Sequence, residues 1–340
     1  MLVGRHAECN RFPHAHAHAR NRRAFRHVGA RTAATHAGSP EAGSGSPAST
    51  DTAVYARLER PIEHHFTVDV EEYFQVSALE PYVERASWET RESRVDVGVD
   101  PLLEMLEEAD ARGTFFVLGW IAERHPELVR RIAAAGHEVA SHGFGHRRVS
   151  TLSPDRFRAS IRRAKAILED ISGAGVVGYR APTFSIVPGL EWALDILIEE
   201  GHRYDSSLFP VPRPGYGYSP SSPRDPHWLE RPSGRLVEVP PATLRRLGAN
   251  LPAAGGAYLR LFPYALTRLA LEEAAARGVP GTLYVHPWEL DEDQPRLPVP
   301  LSVRLRHYGG LRRVRNRIGR VLREFRFRPI AATVAEMESA

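Results

Sequence analysis

The chain has 340 residues, with 45 Lys+Arg against 41 Asp+Glu for a formal net charge of +4, and 42% apolar and 25% charged residues. That is ordinary globular composition, which excludes a fibrous, collagen-like or wholly disordered chain. A single cysteine, Cys9, excludes an intramolecular disulfide and a thiolate metal cage, and no run of about 18 apolar residues is present to span a membrane.

Lys165 is the only lysine, and the excess of arginine with abundant alanine reads as GC-rich coding bias. A pI of 9.4 does not point to nucleic acid, because the net charge is small. The basic excess is local: residues 301–330 hold ten arginines and one acid, Glu324. The Arg-rich stretch 304–328 reads first as a solvated helix face, with peripheral contact to an anionic membrane as the functional alternative.

Residues 1–60 carry six of the sixteen histidines and nine arginines, in runs such as HAHAHAR (14–20) and AGSGSPAS (42–49). Hydrophobic periodicity is missing, so a disordered low-complexity tail is expected. Arg5 is not followed by an apolar stretch of secretory length, so no export signal is expected and a cytoplasmic location is.

From residue 62 short β-rich runs recur at 64–70, 114–118, 137–141, 176–180, 203–207, 236–240 and 282–286. Helices are expected between most of them. Asp100 caps one, with Pro101 at its first position and Gly113 past its end. Others are expected over 120–135, from Ser153-Pro154 to 171, and near 188–200, 257–277 and 301–323. Gly173 to Gly178 fits G-x-G-x-x-G but follows a helix and precedes a strand, the reverse of a dinucleotide loop. Seven alternating strands predict an α/β fold, a distorted seven-stranded β/α barrel over 62–330, with functional groups at the C-terminal strand ends.

In the first strand Thr67, Asp69 and Glu71 share one face and Phe66, Val68 and Val70 the other. Two carboxylates at the end of a strand built for burial need a cation or a partner, unless the strand end is a surface-facing acidic edge. The third strand ends in His142-Gly143-Phe144-Gly145-His146, and histidines at i and i+4 share a face if the turn is helical. Alone the pair reads better as two core or surface histidines. At the same barrel end as the two acids, it adds two imidazoles to a carboxylate and leaves a position for water, as in a catalytic zinc site. Arg180 follows the fourth strand, Asp205 the fifth and His286 the seventh. Arg180 suits a carboxylate partner, and His286 suits a general acid. Trp288 either stacks on sugar or packs. His137-Glu138 stands one residue too far from His142 for a zincin motif.

These residues resemble the five motifs of the polysaccharide deacetylases with NodB homology, carbohydrate esterase family four. The motifs read Thr67-Val68-Asp69-Val70-Glu71, His142-Gly143-Phe144-Gly145-His146, Arg180-Ala181-Pro182-Thr183-Phe184, the Asp205 segment and Leu283-Tyr284-Val285-His286, in family order. The acids two apart resemble the allantoinase-like branch; Glu71 is taken as ligand on strand geometry, with Glu72 the alternative. Ser206, Ser207 and Leu208 stand where the family usually has a tryptophan near its Asp. The stretches Gly255 to Arg260, His286-Pro287-Trp288-Glu289, Gln294-Pro295-Arg296 and Arg306-His307-Tyr308 resemble a subgroup associated with exopolysaccharide and exosortase clusters, giving a subgroup-specific region of about 240–330.

The resemblance implies a metal-dependent hydrolase removing N-acetyl groups from amino sugars of a polysaccharide, an oligosaccharide or its precursor. Glu71, His142 and His146 would hold Zn²⁺, with Co²⁺ the other candidate. Asp69 would be the base, His286 the acid and Arg180 the group orienting Asp69, while Asp205 would orient His286. A backbone N–H near Thr183 or Phe184 would meet the oxyanion, and Trp288 would line the sugar site. Two alternatives stand: a hydrolase of a non-sugar amide, as in the allantoinase-like branch, and a non-catalytic carbohydrate-binding barrel.

Overall fold

The computed structural model describes residues 61–211 and 213–340, so the expected 1–60 tail lies outside the described residues. Eleven strands are described: β1 (Glu63–Val70), β2 (Thr114–Val117), β3 (Glu138–Ser141), β4 (Gly178–Tyr179), β5 (Tyr204–Asp205), β6 (His227–Arg231), β7 (Gly234–Glu238), β8 (Thr243–Arg246), β9 (Ala249–Pro252), β10 (Thr282–Val285) and β11 (Arg326–Arg328). Seven run parallel in the order β10-β1-β2-β3-β4-β5-β7, matching the seven β-rich runs of the sequence. Past β7 the chain returns to β10 through single bridges, Pro241 to Thr282 and Gly255 to Tyr284. The sheet is thus a curled, distorted barrel whose last seam is not a continuous ladder.

β1 shows why the barrel is buried on both faces. Phe66, Val68 and Val70 point outward into a layer with Val99, Leu102, Ile318 and Val321. His65, Thr67 and Asp69 occupy the other face. Inside, Phe116, Ala140, Tyr204, Val237 and Val239 pack with Ile330 and Val334. The last two belong to a C-terminal helix, Ile330–Ser339, that plugs the N-terminal end of the barrel. Its first amides are satisfied there: Ile330 N–H donates to Thr114 Oγ1 at 2.9 Å and Ala331 N–H to the Glu138 carboxylate at 3.0 Å. The opposite end carries the loops of interest.

The connecting helices are α1 (Val95–Glu108), α2 (Gly119–Arg124), α3 (Pro126–Ala134), α4 (Pro154–Ser172), α5 (Trp192–Glu199), α6 (Gly256–Leu261), α7 (Tyr264–Ala276), α8 (Leu301–Tyr308) and α9 (Leu311–Glu324), with the plug as α10. Three expected helices are each two. Pro126 and Pro263 force His125 and Phe262 out of the helical region, and Gly309-Gly310 break the third, with Gly310 at φ +77°. α1 starts five residues earlier than Asp100 because a distant carboxylate caps it: Glu72 accepts from Arg94 N–H at 3.1 Å and Val95 N–H at 3.4 Å. Pro101 therefore lies in its second turn. β6, β8, β9, β11 and α10 were not expected from the sequence pattern.

Candidate active site

Asp69 and Glu71 leave the end of β1, and the segment after β3 brings two imidazoles beside them. Glu71, His142 and His146 offer ligand atoms that all lie within 4.8 Å of one another, each residue buried. His146 is placed by an irregular bend, not a helical turn, with Gly143 at φ +73° and His146 itself at φ +49°. The first amides of α2 hold that bend: Gly119 and Trp120 N–H donate to the Gly143 and Phe144 carbonyls, each at 2.9 Å. Arg85 holds its far side by donating to the Gly145 and His146 carbonyls.

The donor set suits a divalent ion. His142 Nδ1 lies 2.9 Å from the Arg180 carbonyl, which can only accept, so Nδ1 carries the proton and Nε2 keeps its lone pair. Burial pushes His142 down to about 4, keeping it neutral. Burial alone would raise Glu71, but His146, His286 and His142 hold its carboxyl down at about 2. Glu71 Oε2 is buried, makes no hydrogen bond among the described residues, and lies 2.6 Å from His146 Nε2. An orphaned carboxylate oxygen between two imidazoles fits a cation. Glu72 points elsewhere, to its cap on α1.

Arg180 is fully buried and reaches Asp69 Oδ1 and Thr67 Oγ1, each at 2.7 Å, while Ser206 Oγ takes its other nitrogen at 2.8 Å. His286 Nε2 faces Asp69 Oδ2 at 4.0 Å and Glu71 Oε1 at 3.8 Å. Its Nδ1 lies 3.1 Å from Glu289 Oε2. Burial opposes its charge, but Glu289, Glu71 and Asp69 raise His286 to about 9. Behind it, Arg260 Nε donates to Glu289 Oε1 at 2.6 Å and its other nitrogens bind the carbonyls of Arg306, His307 and Gly309.

Two expectations are corrected. Asp205 does not orient His286. It is buried against Ser207 Oγ at 2.6 Å and against Glu238, a pair that burial pushes up, Asp205 to about 6. Glu289 takes that place instead. Trp288 lines the cleft but offers it no open stacking face. It is 5% exposed, donates its indole N–H to Glu71 Oε1 at 3.0 Å and stacks on His286 and His307 at 5.2 and 4.4 Å. Thr183 and Phe184 do line the cleft, at φ +60° and +49°. Phe184 N–H is spent on the Ala181 carbonyl, which leaves Thr183 as the oxyanion candidate. Three of the five non-glycine residues with positive φ among the described residues thus line one cleft, a concentration of strain expected of a working site. The cleft encloses about 600 Å³.

A model described as Polysaccharide deacetylase matches residues 95–191, and one described as a domain of unknown function (DUF3473) matches 206–335. The peptidoglycan-N-acetylglucosamine deacetylase of Bacillus cereus is 32% identical over 95 residues, covering 28% of this chain and 34% of the relative. The peptidoglycan deacetylase of Helicobacter pylori is 28% identical over 115 residues, covering 33% and 38%. Residues 95–191 carry a polysaccharide deacetylase domain. The chain spans only about a third of the length of those curated deacetylases. A Mycobacterium smegmatis structure, provisionally described as a polysaccharide deacetylase, superposes with a TM-score of 0.56 at 24% identity, covering 82% of this chain and 91% of that one, a likeness of fold.

The sequence motifs name Asp69, Glu71, His142, His146, Arg180 and His286 but give no role to Glu289, Arg260 or His307. A signal was present for Glu289: three residues after His286, it sits at capping-box spacing and also accepts from His286 N–H at 3.0 Å.

Proposed function

We propose that this chain is a divalent-metal-dependent N-deacetylase of amino sugars in a polysaccharide, an oligosaccharide or a precursor. The observation that carries this is the meeting of Glu71, His142 and His146 with Asp69 and His286 at the floor of one cleft. Zn²⁺ is the ion the two-imidazole, one-carboxylate set suits, with Co²⁺ able to replace it. Held by Glu71, His142 and His146, such an ion supplies Lewis acidity to the acetamide carbonyl and acidifies water.

The chain's own groups do the rest. Asp69, oriented by Arg180, takes a proton from the attacking water. The Thr183 N–H faces the developing oxyanion. His286, kept protonated by Glu289, passes a proton to the leaving amine nitrogen, so that water and amide yield acetate and amine. Arg260 acts through Glu289 and is a positioning residue. The signature stretches around Arg260, Glu289, Gln294 and His307 support membership of the exopolysaccharide-associated subgroup.

A second reading, hydrolysis of a non-sugar amide, is favoured by one observation, the Asp69-x-Glu71 spacing shared with the allantoinase-like branch. Mass spectrometry of N-acetylglucosamine oligomers and of allantoin after incubation with the zinc-loaded full chain separates the two. Loss of acetyl groups from the oligomers supports the first; ring opening of allantoin with intact oligomers supports the second.

A further inference from the structure

Eight large apolar side chains stand exposed among the described residues, and four of them fall at the end of α6 and on α8: Leu261 (43%), Phe262 (42%), Leu301 (67%) and Leu305 (60%). Leu301 and Leu305 are one turn apart on α8. Leu261 lies against the end of that helix, where a Cβ on Gly309 would meet Leu261 Cδ2 at 3.0 Å and the Leu305 carbonyl at 2.2 Å. Leu261 and Phe262 also line the catalytic cleft, so these side chains form a lip at its mouth.

Arginines outnumber acids around the lip. From Gln294 to Arg323 the chain holds nine arginines and no acid. Arg312 and Arg320 reach Glu292 and Glu324, but Arg304, Arg306 and Arg313 form no ion pair among the described residues. Beside Leu261 lies a second hollow of about 460 Å³ lined by Arg296, Arg312 and Arg313 and by two acids, Glu292 and Asp293.

Exposed leucines rimmed by charge mark an interaction surface. A second copy of the chain fits it less well, because two surfaces that each carry an excess of arginine would meet. An anionic bilayer answers both features at once: the acyl boundary takes the leucines and lipid phosphates take the guanidiniums. We propose that the lip formed by α6, α8 and the start of α9 docks on an anionic phospholipid surface, so that the cleft opens at the headgroup layer.

The test is co-sedimentation of the full chain with phosphatidylcholine vesicles, with and without about 30% phosphatidylglycerol, at low salt. Binding at least tenfold tighter to the anionic vesicles is expected. The Leu301→Ser/Leu305→Ser and Arg304→Glu/Arg313→Glu pairs should each weaken it at least tenfold, since one arginine near such a surface is worth about fivefold. Circular dichroism and unfolding midpoints should stay at parent values, because all four side chains are exposed. The proposal is overturned if anionic lipid gives no preference or if both variant pairs bind like the parent. It is equally overturned if sedimentation velocity shows a dimer that the serine pair dissolves, which would make the lip a self-interface.

Discussion

Glu289 sits 3.1 Å from His286 Nδ1 while its other carboxylate oxygen holds the buried Arg260 at 2.6 Å. The three side chains form a line from the cleft into the protein, and the line fixes both the charge and the orientation of the imidazole. Glu289→Gln keeps the shape and removes the charge. Its kcat should fall about 10- to 100-fold, within the usual reach of general acid catalysis. Metal content by mass spectrometry should not change. Wild-type kcat in this variant would show that Glu289 only packs.

The two adjacent glutamates should separate cleanly. Glu71→Gln removes the ligand charge and should weaken metal affinity at least tenfold. Glu72→Gln should leave metal affinity intact and cost about 1–2 kcal/mol of stability, because Glu72 caps α1. Metal titration and urea unfolding of both variants check this. The opposite pattern would make Glu72 the ligand.

Gly98 in α1 supports the same site from behind. A Cβ there would come within 2.0 Å of the Pro287 carbonyl, next to His286. Gly98→Ala must push that backbone turn. A loss of about 1–3 kcal/mol is expected from overpacking, with several-fold lower turnover, read by thermal unfolding and by acetate release. Parent-like turnover and stability would show that the turn yields freely.

Acid should destabilise the fold through buried histidines. Burial holds His64, His137 and His202 down at about 4, against an ordinary value of 6.5. Between those pH values the unfolded chain binds more protons, so stability is full above about pH 6.5 and falls toward pH 4, by up to about 3 kcal/mol per histidine. Asp205, raised by burial to about 6, acts oppositely: its contribution is full at low pH and fades as pH rises through 6. Both His202 ring nitrogens lack a hydrogen-bond partner among the described residues. His202→Leu should therefore flatten the acid limb of urea-unfolding stability between about pH 4.5 and 6.5. An unchanged slope would mean His202 does not control it.

The groups that meet in the cleft were legible because each stands at a strand end, and alternation along β1 put Asp69 and Glu71 on one face. The pairings behind them were not. Arg260, Glu289, Gln294 and His307 lie on separate segments of the chain, and only tertiary packing joins them: Gln294 Oε1 meets His307 Nε2 at 2.9 Å, and Gln294 Nε2 donates to the Trp288 carbonyl at 2.7 Å. The signature stretches read separately in the sequence are one scaffold behind His286 and Trp288. The start of α1 was missed for a similar reason, since its cap comes from Glu72, 22 residues before Arg94. β4 and β5 have two residues each, so the β-rich runs 176–180 and 203–207 overstate their length.

The most direct measurement is acetate release by the full chain from N-acetylated hexosamine oligomers. It is run metal-stripped, with Zn²⁺ or Co²⁺ restored, and beside Asp69→Ala. The account predicts release that needs both the metal and Asp69, with the variant still binding metal. A folded, metal-loaded parent chain that releases no acetate, or an Asp69→Ala chain that releases it at the parent rate, would contradict it.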